Sequence, residues 1–324
     1  MRSAKLYCYN LPMQSGLVLR CQKLTKRKGF LLHLCEKNQH GWGEIAPLPT
    51  FSKESLDIAE QQLRSWIANW LKGQNNSNKL DDYAPSVAFG ISCALAEVHQ
   101  QIGEIANYQT ASLCDLTSPL IAQKLTGNLV KIKVGRGSSK EEGKKINAIL
   151  ASTPNLTLRL DANRAWSREA AAQFAEQISL KYRENIQFIE EPCQTPILSQ
   201  QFSEQFNFNL AWDETVQENP FLFPYTPKLK AIIIKPTLIG SLKKCLNLMK
   251  LAQQRGLMTI ISSSLESSFA LTQLARIAQQ YAPNTILGLD TLNLMQHQLL
   301  RHWHCSDLPV VDLTSSFISQ VQLD

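Results

Sequence analysis

Three acidic residues and two lysines lie where their side chains could do chemistry together. Asp161 in RLDAN, Glu190 in FIEEP and Asp213 in AWDET each follow a short apolar run. Carboxylate oxygens are the ligands that Mg²⁺ prefers in proteins. Lys133 in VKIKV and Lys235 in IIIKP precede and follow the three acids. A desolvated lysine beside a cation can remove a proton next to a carboxylate, so the set predicts metal-assisted proton abstraction.

Strand periodicity predicts which of these side chains share a face. In VKIKV, Lys131 and Lys133 alternate with apolar residues, and in LTLRLD, Arg159 and Asp161 do the same. Charged side chains inside a barrel are costly to desolvate unless they are paired or bind a metal. The pattern therefore predicts one apolar face against helices and one charged face around a site.

Each acid taken alone is more simply explained as a helix cap or a loop anchor. Acids at the ends of three successive strands, with lysines on the strands before and after, favour a metal site. A Schiff-base lysine is the sharper alternative, but it leaves the three acids without a shared role. Alternation leaves open whether Glu190 or Glu191 points inward, and Glu214 beside Asp213 carries the same ambiguity.

The elements that must position these residues form an alternating series after residue 100. Amphipathic helices such as 167–180 and 241–256 lie between strand candidates near 110–114, 130–134, 156–161, 186–190, 209–213, 230–235, 258–263 and 285–289. Eight strands with helices between them favour a parallel α/β barrel. A doubly wound open sheet is the alternative. It is less favoured, because no Gly-rich phosphate loop follows an early strand.

The first hundred residues predict strands followed by helices. LYCYNLPM, GLVLRCQ, GFLLHLCE and HGWGEIAPLP indicate extended segments. Ser52 is predicted to cap a helix from Lys53 to about Lys72, and residues 73–82 form a polar linker. Pro85 then opens a second helix with a buried face.

Composition restricts the class of protein. The chain has 324 residues, 44% hydrophobic and 19% charged, which is typical of a folded chain with a core. It lacks a signal-like segment and a run of roughly 18 apolar residues, so we expect a soluble, cytoplasmic protein that does not enter a membrane. Its eight cysteines are scattered without a C-x-x-C pair, which favours reduced thiols over disulfides or a zinc site.

Two groups of residues invite a different interpretation. The net charge of +6 includes a basic cluster at 23–28. We interpret this cluster as a solvated loop that could also steer an anionic substrate, because no nucleic-acid recognition motif accompanies it. His302, His304 and Cys305 are predicted to pack near the chain end rather than to bind zinc.

Together KIKVG, RLDAN, IEEP, WDE and IIIKP resemble the enolase superfamily, in its muconate-lactonizing-like branch with lysines on the second and sixth strands. More closely, GWGEIAPLPTFS, PSVAFGISCALAE, IEEPC, ISSSLESSFALTQLARIA and GLDTLNLMQ resemble the o-succinylbenzoate synthases of gamma-proteobacterial type over nearly the whole chain. The resemblance implies a modified TIM barrel, (β/α)7β, at 101–324. It also implies an N-terminal α+β capping domain at 1–100, on which the C-terminal tail is expected to pack.

The resemblance assigns roles to the residues. It implies that Asp161, Glu190 and Asp213 hold Mg²⁺, with Mn²⁺ as an expected substitute, and it favours Glu190 over Glu191. Lys133 corresponds to the lysine that removes the α proton and protonates the departing hydroxide, and Lys235 to the one that stabilises the dienolate. The implied reaction is the syn dehydration of 2-succinyl-6-hydroxy-2,4-cyclohexadiene-1-carboxylate to o-succinylbenzoate in menaquinone synthesis, through an enediolate.

Substrate contacts are predicted at Lys131, Arg159, Ser262 and the backbone of Gly288. Arg159 is expected to orient Lys133 or an anionic group, with an ion pair to a neighbouring acid as the alternative. Helix capping is the alternative for the serines at 262–264. The loop 19–30 and the segment up to Phe51 are expected to close over the barrel mouth.

Other functions remain open at this stage. N-succinylamino acid racemases and dipeptide epimerases use the same pair of lysines, so residue chemistry does not separate them from the synthase. A non-catalytic barrel that binds a partner is the alternative from another class, and failure to bind Mg²⁺ would favour it. The expected partner is a small anionic substrate, with no nucleic acid or membrane, and we expect a monomer.

Overall fold

The computed structural model describes residues 2–14, 18–19, 22–74, 77–104, 108–116, 128–304 and 306–323. The strands in chain order are β1 Arg2–Pro12, β2 Val18–Leu19, β3 Gln22–Lys23, β4 Lys26–Glu36, β5 Gln39–Ile45, β6 Ser112–Asp115, β7 Leu129–Lys133, β8 Thr157–Asp161, β9 Ile186–Glu190, β10 Leu210–Trp212, β11 Leu229–Ile234, β12 Met258–Ile261, β13 Gln298–Leu299, β14 Val310–Val311 and β15 Ile318–Val321. The α-helices are α1 Leu56–Leu71, α2 Pro85–Val98, α3 Ser139–Ser152, α4 Arg168–Ala175, α5 Pro196–Phe206, α6 Glu214–Glu218, α7 Pro236–Ile239, α8 Leu242–Gln254 and α9 Ser268–Tyr281. Within these ranges, each helix is too short or too polar to cross a bilayer.

Backbone contacts divide the chain into two units. The first contains Met1–Tyr108, Lys235–Met249 and Ile261–Asp324. The second contains Gln109–Ile234 and Lys250–Ile260. The domain boundary near residue 100 stays a prediction.

The first unit is built on an antiparallel sheet in the order β15-β1-β4-β5. Alternate residues of β1 and β4, such as Leu6, Phe30 and Leu32, form a buried apolar cluster with residues of α1 and α2. The predicted strands at β1, β4 and β5 are confirmed, whereas the predicted strand at 16–22 lies partly outside the described residues.

The helices α1 and α2 of this unit begin at residues that suit the first turn of a helix. α1 begins after Ser55, whose Oγ accepts from the Ile58 amide at 3.2 Å. The prediction that Ser52 caps this helix is wrong, because its Oγ accepts from the Leu48 amide at 2.8 Å and holds the preceding turn. α2 begins at Pro85 as predicted, since proline at the first helical position gives up no needed hydrogen bond. It lies so close to β5 that a Cβ at Gly43 would overlap the helix backbone.

The second unit carries a seven-stranded sheet in the order β12-β11-β10-β9-β8-β7-β6. The pairs from β6 to β11 are parallel. A doubly wound sheet reverses its strand order at a switch point, and this order runs without reversal. The α/β class and the first seven predicted strands are therefore confirmed.

The eighth predicted strand, at 285–289, is reduced to isolated bridge residues at Leu287 and Gly288, and Gly288 pairs with Ser262. The chain turns directly after it, since the Thr291 amide donates to the carbonyl of Leu289. A 3-10 turn at Leu292–Leu294 follows.

The basic cluster at 23–28 contains one residue that sequence analysis misplaced. Arg27 lies within β4 and is 1% exposed, so the prediction of a solvated loop is wrong for this residue. Its guanidinium donates to the carbonyls of Ala46, Pro47 and Leu265 at 2.5 to 2.8 Å. Strand alternation turns Arg27 inward, whereas Lys26 and Lys28 are exposed. Arg27 therefore ties β4 to two loops of the first unit.

Replacement of Arg27 by methionine is expected to destabilise the protein by about 2–4 kcal/mol, because several buried carbonyls lose a charged donor. Urea unfolding followed by circular dichroism measures this change. Lys26→Met, at the exposed neighbouring position, is the matched control and should change stability by less than about 0.5 kcal/mol. Equal stability of the two variants would contradict a structural role for Arg27.

Candidate active site

The predicted metal ligands lie at the ends of neighbouring parallel strands. Asp161 ends β8, Glu190 ends β9, and Asp213 directly follows β10. In register, Lys133 is opposite Asp161, and Asp161 is opposite Glu190. The three acids are at most 1% exposed. The carboxyl ends of parallel strands meet at one edge, so the sheet brings these residues to a common edge.

Two lysines of β7 bind these carboxylates. Lys131 Nζ lies 2.8 Å from Asp161 Oδ2 and 2.6 Å from Glu190 Oε2. Lys133 Nζ lies 2.6 Å from the same Asp161 oxygen and 2.7 Å from Asn163 Oδ1. Lys131 therefore bridges two acids, and both lysines share one oxygen of Asp161.

The electrostatics of the network keep Lys131 and Asp161 charged. Burial opposes the charge on Lys131, but Asp161, Glu190 and Asp213 outweigh it and raise the pKa of Lys131 above its usual range. Burial likewise opposes the charge on Asp161, and the ammonium groups of Lys131 and Lys133 hold the pKa of Asp161 well below its usual range. The ion pair between Lys131 and Asp161 is therefore intact at neutral pH.

Glu190 and Glu191 have different contacts. Glu191 Oε1 accepts from the amides of Asp213 and Thr215 at 3.0 and 2.7 Å. Its Oε2 accepts from Arg164 Nε and Thr215 Oγ1, both at 3.0 Å. Burial raises the pKa of Glu191 despite these bonds. Glu191 thus anchors the backbone that carries Asp213, whereas Glu190 faces Lys131.

Asn163 is a residue of the network that sequence analysis missed. Its Oδ1 accepts from Lys133, and its Nδ2 donates to Glu214 Oε1 at 3.2 Å. Its backbone has a φ of 45°, a left-handed conformation that asparagine tolerates better than most residues. Its position two residues after Asp161, in RLDAN, is the sequence feature from which its place in the network could have been predicted.

Lys235 and Arg159 are two further predicted site residues. Lys235 directly follows β11 and precedes α7. Arg159 Nε donates to Gln187 Oε1 at 2.7 Å, and its guanidinium lies 5.3 Å from the centre of the Phe188 ring. Burial lowers the pKa of Arg159 to about 10.

The first two serines after β12 bond to the segment 288–291. Ser262 Oγ donates to the Gly288 carbonyl at 3.0 Å, and Ser263 Oγ lies 2.7 Å from Thr291 Oγ1. The alternative that residues 262–264 cap a helix is wrong, because Ser267 is the residue that caps α9. Roles of these serines in substrate binding stay predictions.

The chain-end group and the basic cluster have separate surroundings. His304 Nδ1 lies 2.6 Å from Tyr108 Oη, and Cys305 lies outside the described residues.

Lys23, Lys26 and Lys28 line a pocket of about 650 Å³ in the first unit. Residues 20–21 of the predicted closing loop also lie outside the described residues.

The strand-end residues suit a divalent cation by their chemistry. In the described part of the chain, no three His, Cys, Asp or Glu side chains are arranged around one point as metal ligands. The ammonium of Lys131 instead lies between Asp161 and Glu190. Three buried carboxylates lie at these strand ends. Their hard oxygen atoms are ligands that suit Mg²⁺.

Comparison with known proteins identifies the family of this chain. Residues 1–98 match the family model described as MenC, N-terminal domain, and residues 122–305 match enolase C-terminal domain-like. The o-succinylbenzoate synthase of Pasteurella multocida is 47% identical over 337 residues, covering 100% of this chain and 99% of the relative. That of Haemophilus influenzae is 46% identical over 327 residues, covering 99% of each.

Solved structures show the same fold. An o-succinylbenzoate synthase from Thermosynechococcus elongatus, complexed with Mg in the active site, has a TM-score of 0.69 and 22% identity over 89% of this chain and 92% of that one. The muconate lactonizing enzyme from Pseudomonas fluorescens has a TM-score of 0.70 and 18% identity over 90% and 88%.

The fold and the strand-end site define a protein of the enolase superfamily, with a modified (β/α)7β barrel and an N-terminal α+β domain. Within the superfamily, the chain belongs to the o-succinylbenzoate synthases, which are hydro-lyases.

Proposed function

We propose that this protein dehydrates 2-succinyl-6-hydroxy-2,4-cyclohexadiene-1-carboxylate to o-succinylbenzoate, with Mg²⁺ held by Asp161, Glu190 and Asp213. The observation that carries the proposal is the contact of Lys133 with Asp161 at 2.6 Å, at an edge shared by three buried carboxylates. Relatives that carry the synthase name over the full chain length support the choice of substrate.

Lys133 is the proposed base. It removes the proton next to the substrate carboxylate and then protonates the departing hydroxide on the same face, which gives a syn elimination. Lys133 must first become a neutral amine. Asp161 keeps a cationic partner when it does, because Lys131 contacts the same oxygen. Asn163 Oδ1 holds the Lys133 nitrogen in place.

The charge that develops on the substrate needs positive groups around it. When bound, Mg²⁺ supplies positive charge at the substrate carboxylate. Lys235 is proposed to add an ammonium group that stabilises this charge. Lys131, Arg159, Ser262 and Gly288 are proposed to contact the substrate or to hold the groups that do.

An ultraviolet assay of the purified protein with the cyclohexadiene substrate tests the function. We expect product in the presence of Mg²⁺ and none after treatment with EDTA, with activity restored when Mg²⁺ is added back. N-succinylamino acids and dipeptides, offered in parallel, test the racemase and epimerase alternatives. The proposal would be overturned if the cyclohexadiene were not turned over while N-succinylamino acids were racemised or dipeptides were epimerised.

We further propose that Mn²⁺ replaces Mg²⁺, and that the protein works as a cytoplasmic monomer. The hard oxygen donor set suits both cations. Addition of Mn²⁺ to EDTA-treated protein should restore turnover. Light scattering after size-exclusion chromatography should give a mass near the 36.4 kDa of one chain.

A further inference from the structure

A row of three side chains on β4 and β5 of the first unit is unrelated to the strand-end network. In the antiparallel register, Cys35 is opposite His40 and His33 is opposite Trp42. His40 Nδ1 lies 3.0 Å from His33 Nε2, and His40 Nε2 lies 3.9 Å from Cys35 Sγ. The His40 ring therefore connects a thiol at one edge with a second imidazole at the other.

The environment of His33 suits it to accept a hydrogen bond from His40. Burial, with the charges of His40 and Lys5, lowers the pKa of His33 to about 4, so the ring is neutral at pH 7. The two imidazole rings are within 10° of parallel, and His33 also stacks on Trp42 at 4.2 Å. When His33 Nε2 accepts from His40 Nδ1, the second nitrogen of His40 presents its lone pair to Cys35.

This is the arrangement that activates a nucleophilic thiol. A base within reach of the sulfur takes its proton, and a third group orients the base. Cys35 is also partly exposed, so a small reagent can reach it.

The other described cysteines lack partial exposure, a nearby base that would activate the thiol, or both. Cys93, Cys114, Cys193 and Cys245 are buried. Cys8 is partly exposed, but burial and the nearby charge of Glu60 raise its pKa. A raised pKa lowers the thiolate fraction and with it the rate of attack.

We propose that Cys35 is a thiol–disulfide exchange site that takes small disulfides, with His40 as its base and His33 as the residue that orients His40. His40 Nε2 accepts the thiol proton, and the sulfur forms a bond to one sulfur of the disulfide. The original S–S bond breaks, and the departing thiolate takes the proton from His40. The products are a mixed disulfide at Cys35 and one small thiol, so no further oxidant is needed.

The aromatic disulfide dithiobis(nitrobenzoate) serves as the probe, because each exchange releases one aromatic thiol, which ionises in neutral buffer to a coloured thiolate. The full chain is used with Cys21→Ser and Cys305→Ser, so that only cysteines described above can react. We expect a first phase that peptide mass spectrometry maps to Cys35. Cys35→Ser should abolish this phase, and Cys8→Ser, the matched control, should leave it unchanged.

The histidine variants test the mechanism. His40→Gln should slow the first phase about tenfold, because the base is lost. His33→Leu should slow it about threefold, and His33→Gln, which keeps an acceptor, should recover most of the rate. Partial unfolding would speed labelling, so a slower phase is not explained by a folding defect. Faster reaction at Cys8 than at Cys35, or an unchanged rate in His40→Gln, would overturn the proposal.

Discussion

Turnover of the cyclohexadiene substrate should fall by about 10³-fold or more in Lys133→Ala, because one side chain serves as base and then as acid. Steady-state and single-turnover ultraviolet assays at saturating Mg²⁺ measure the loss. Lys230→Ala is the matched control, since Lys230 also lies on a strand of the same sheet but is exposed. This control should retain turnover to within about twofold.

Lys133→Arg separates the charge of this residue from its proton transfer. Arginine can keep an ion pair with Asp161, but it does not give up its proton near neutral pH. We expect a folded protein that still binds Mg²⁺ and has lost turnover as completely as Lys133→Ala. Substantial activity in Lys133→Arg would contradict the assignment of Lys133 as the base and would favour a purely electrostatic role.

Affinity for Mg²⁺ should fall by about 100-fold or more in Glu190→Gln, because a charged ligand oxygen is replaced by a neutral amide. Isothermal titration calorimetry with Mg²⁺ alone measures this loss without reference to catalysis. The variant should also lose turnover at Mg²⁺ concentrations that saturate the unmodified protein.

Glu191→Gln is the matched control, since the two glutamates are adjacent and equally buried but have different partners. The amide oxygen of glutamine can still accept from the backbone amides of Asp213 and Thr215, which Glu191 Oε1 binds. We therefore expect Mg²⁺ affinity within about tenfold of the unmodified protein. Equal losses in both variants would mean that the site depends on the local backbone and not on Glu190 as a ligand.

The sequence alone predicted most of the strands and helices, and it placed the three acids at strand ends. Hydrophobic repeats of about two and 3.6 residues are local properties, and they located the first seven strands of the α/β series. The same repeats placed Lys131 and Lys133 on one face of β7, where both bind Asp161. The family was also visible in the sequence, because its motifs are short and continuous.

Tertiary structure decided which neighbour each side chain meets. Glu190 and Glu191 are adjacent, and their separate partners come from β7 and from the segments at 164 and 213–215. Arg27 lies in a run of basic residues, yet carbonyls of distant loops surround it. Contacts between residues far apart in the chain depend on how elements pack, and local patterns carry no information about them. That is the physical reason why the sequence located the candidate site but only the folded chain showed how its charges are paired.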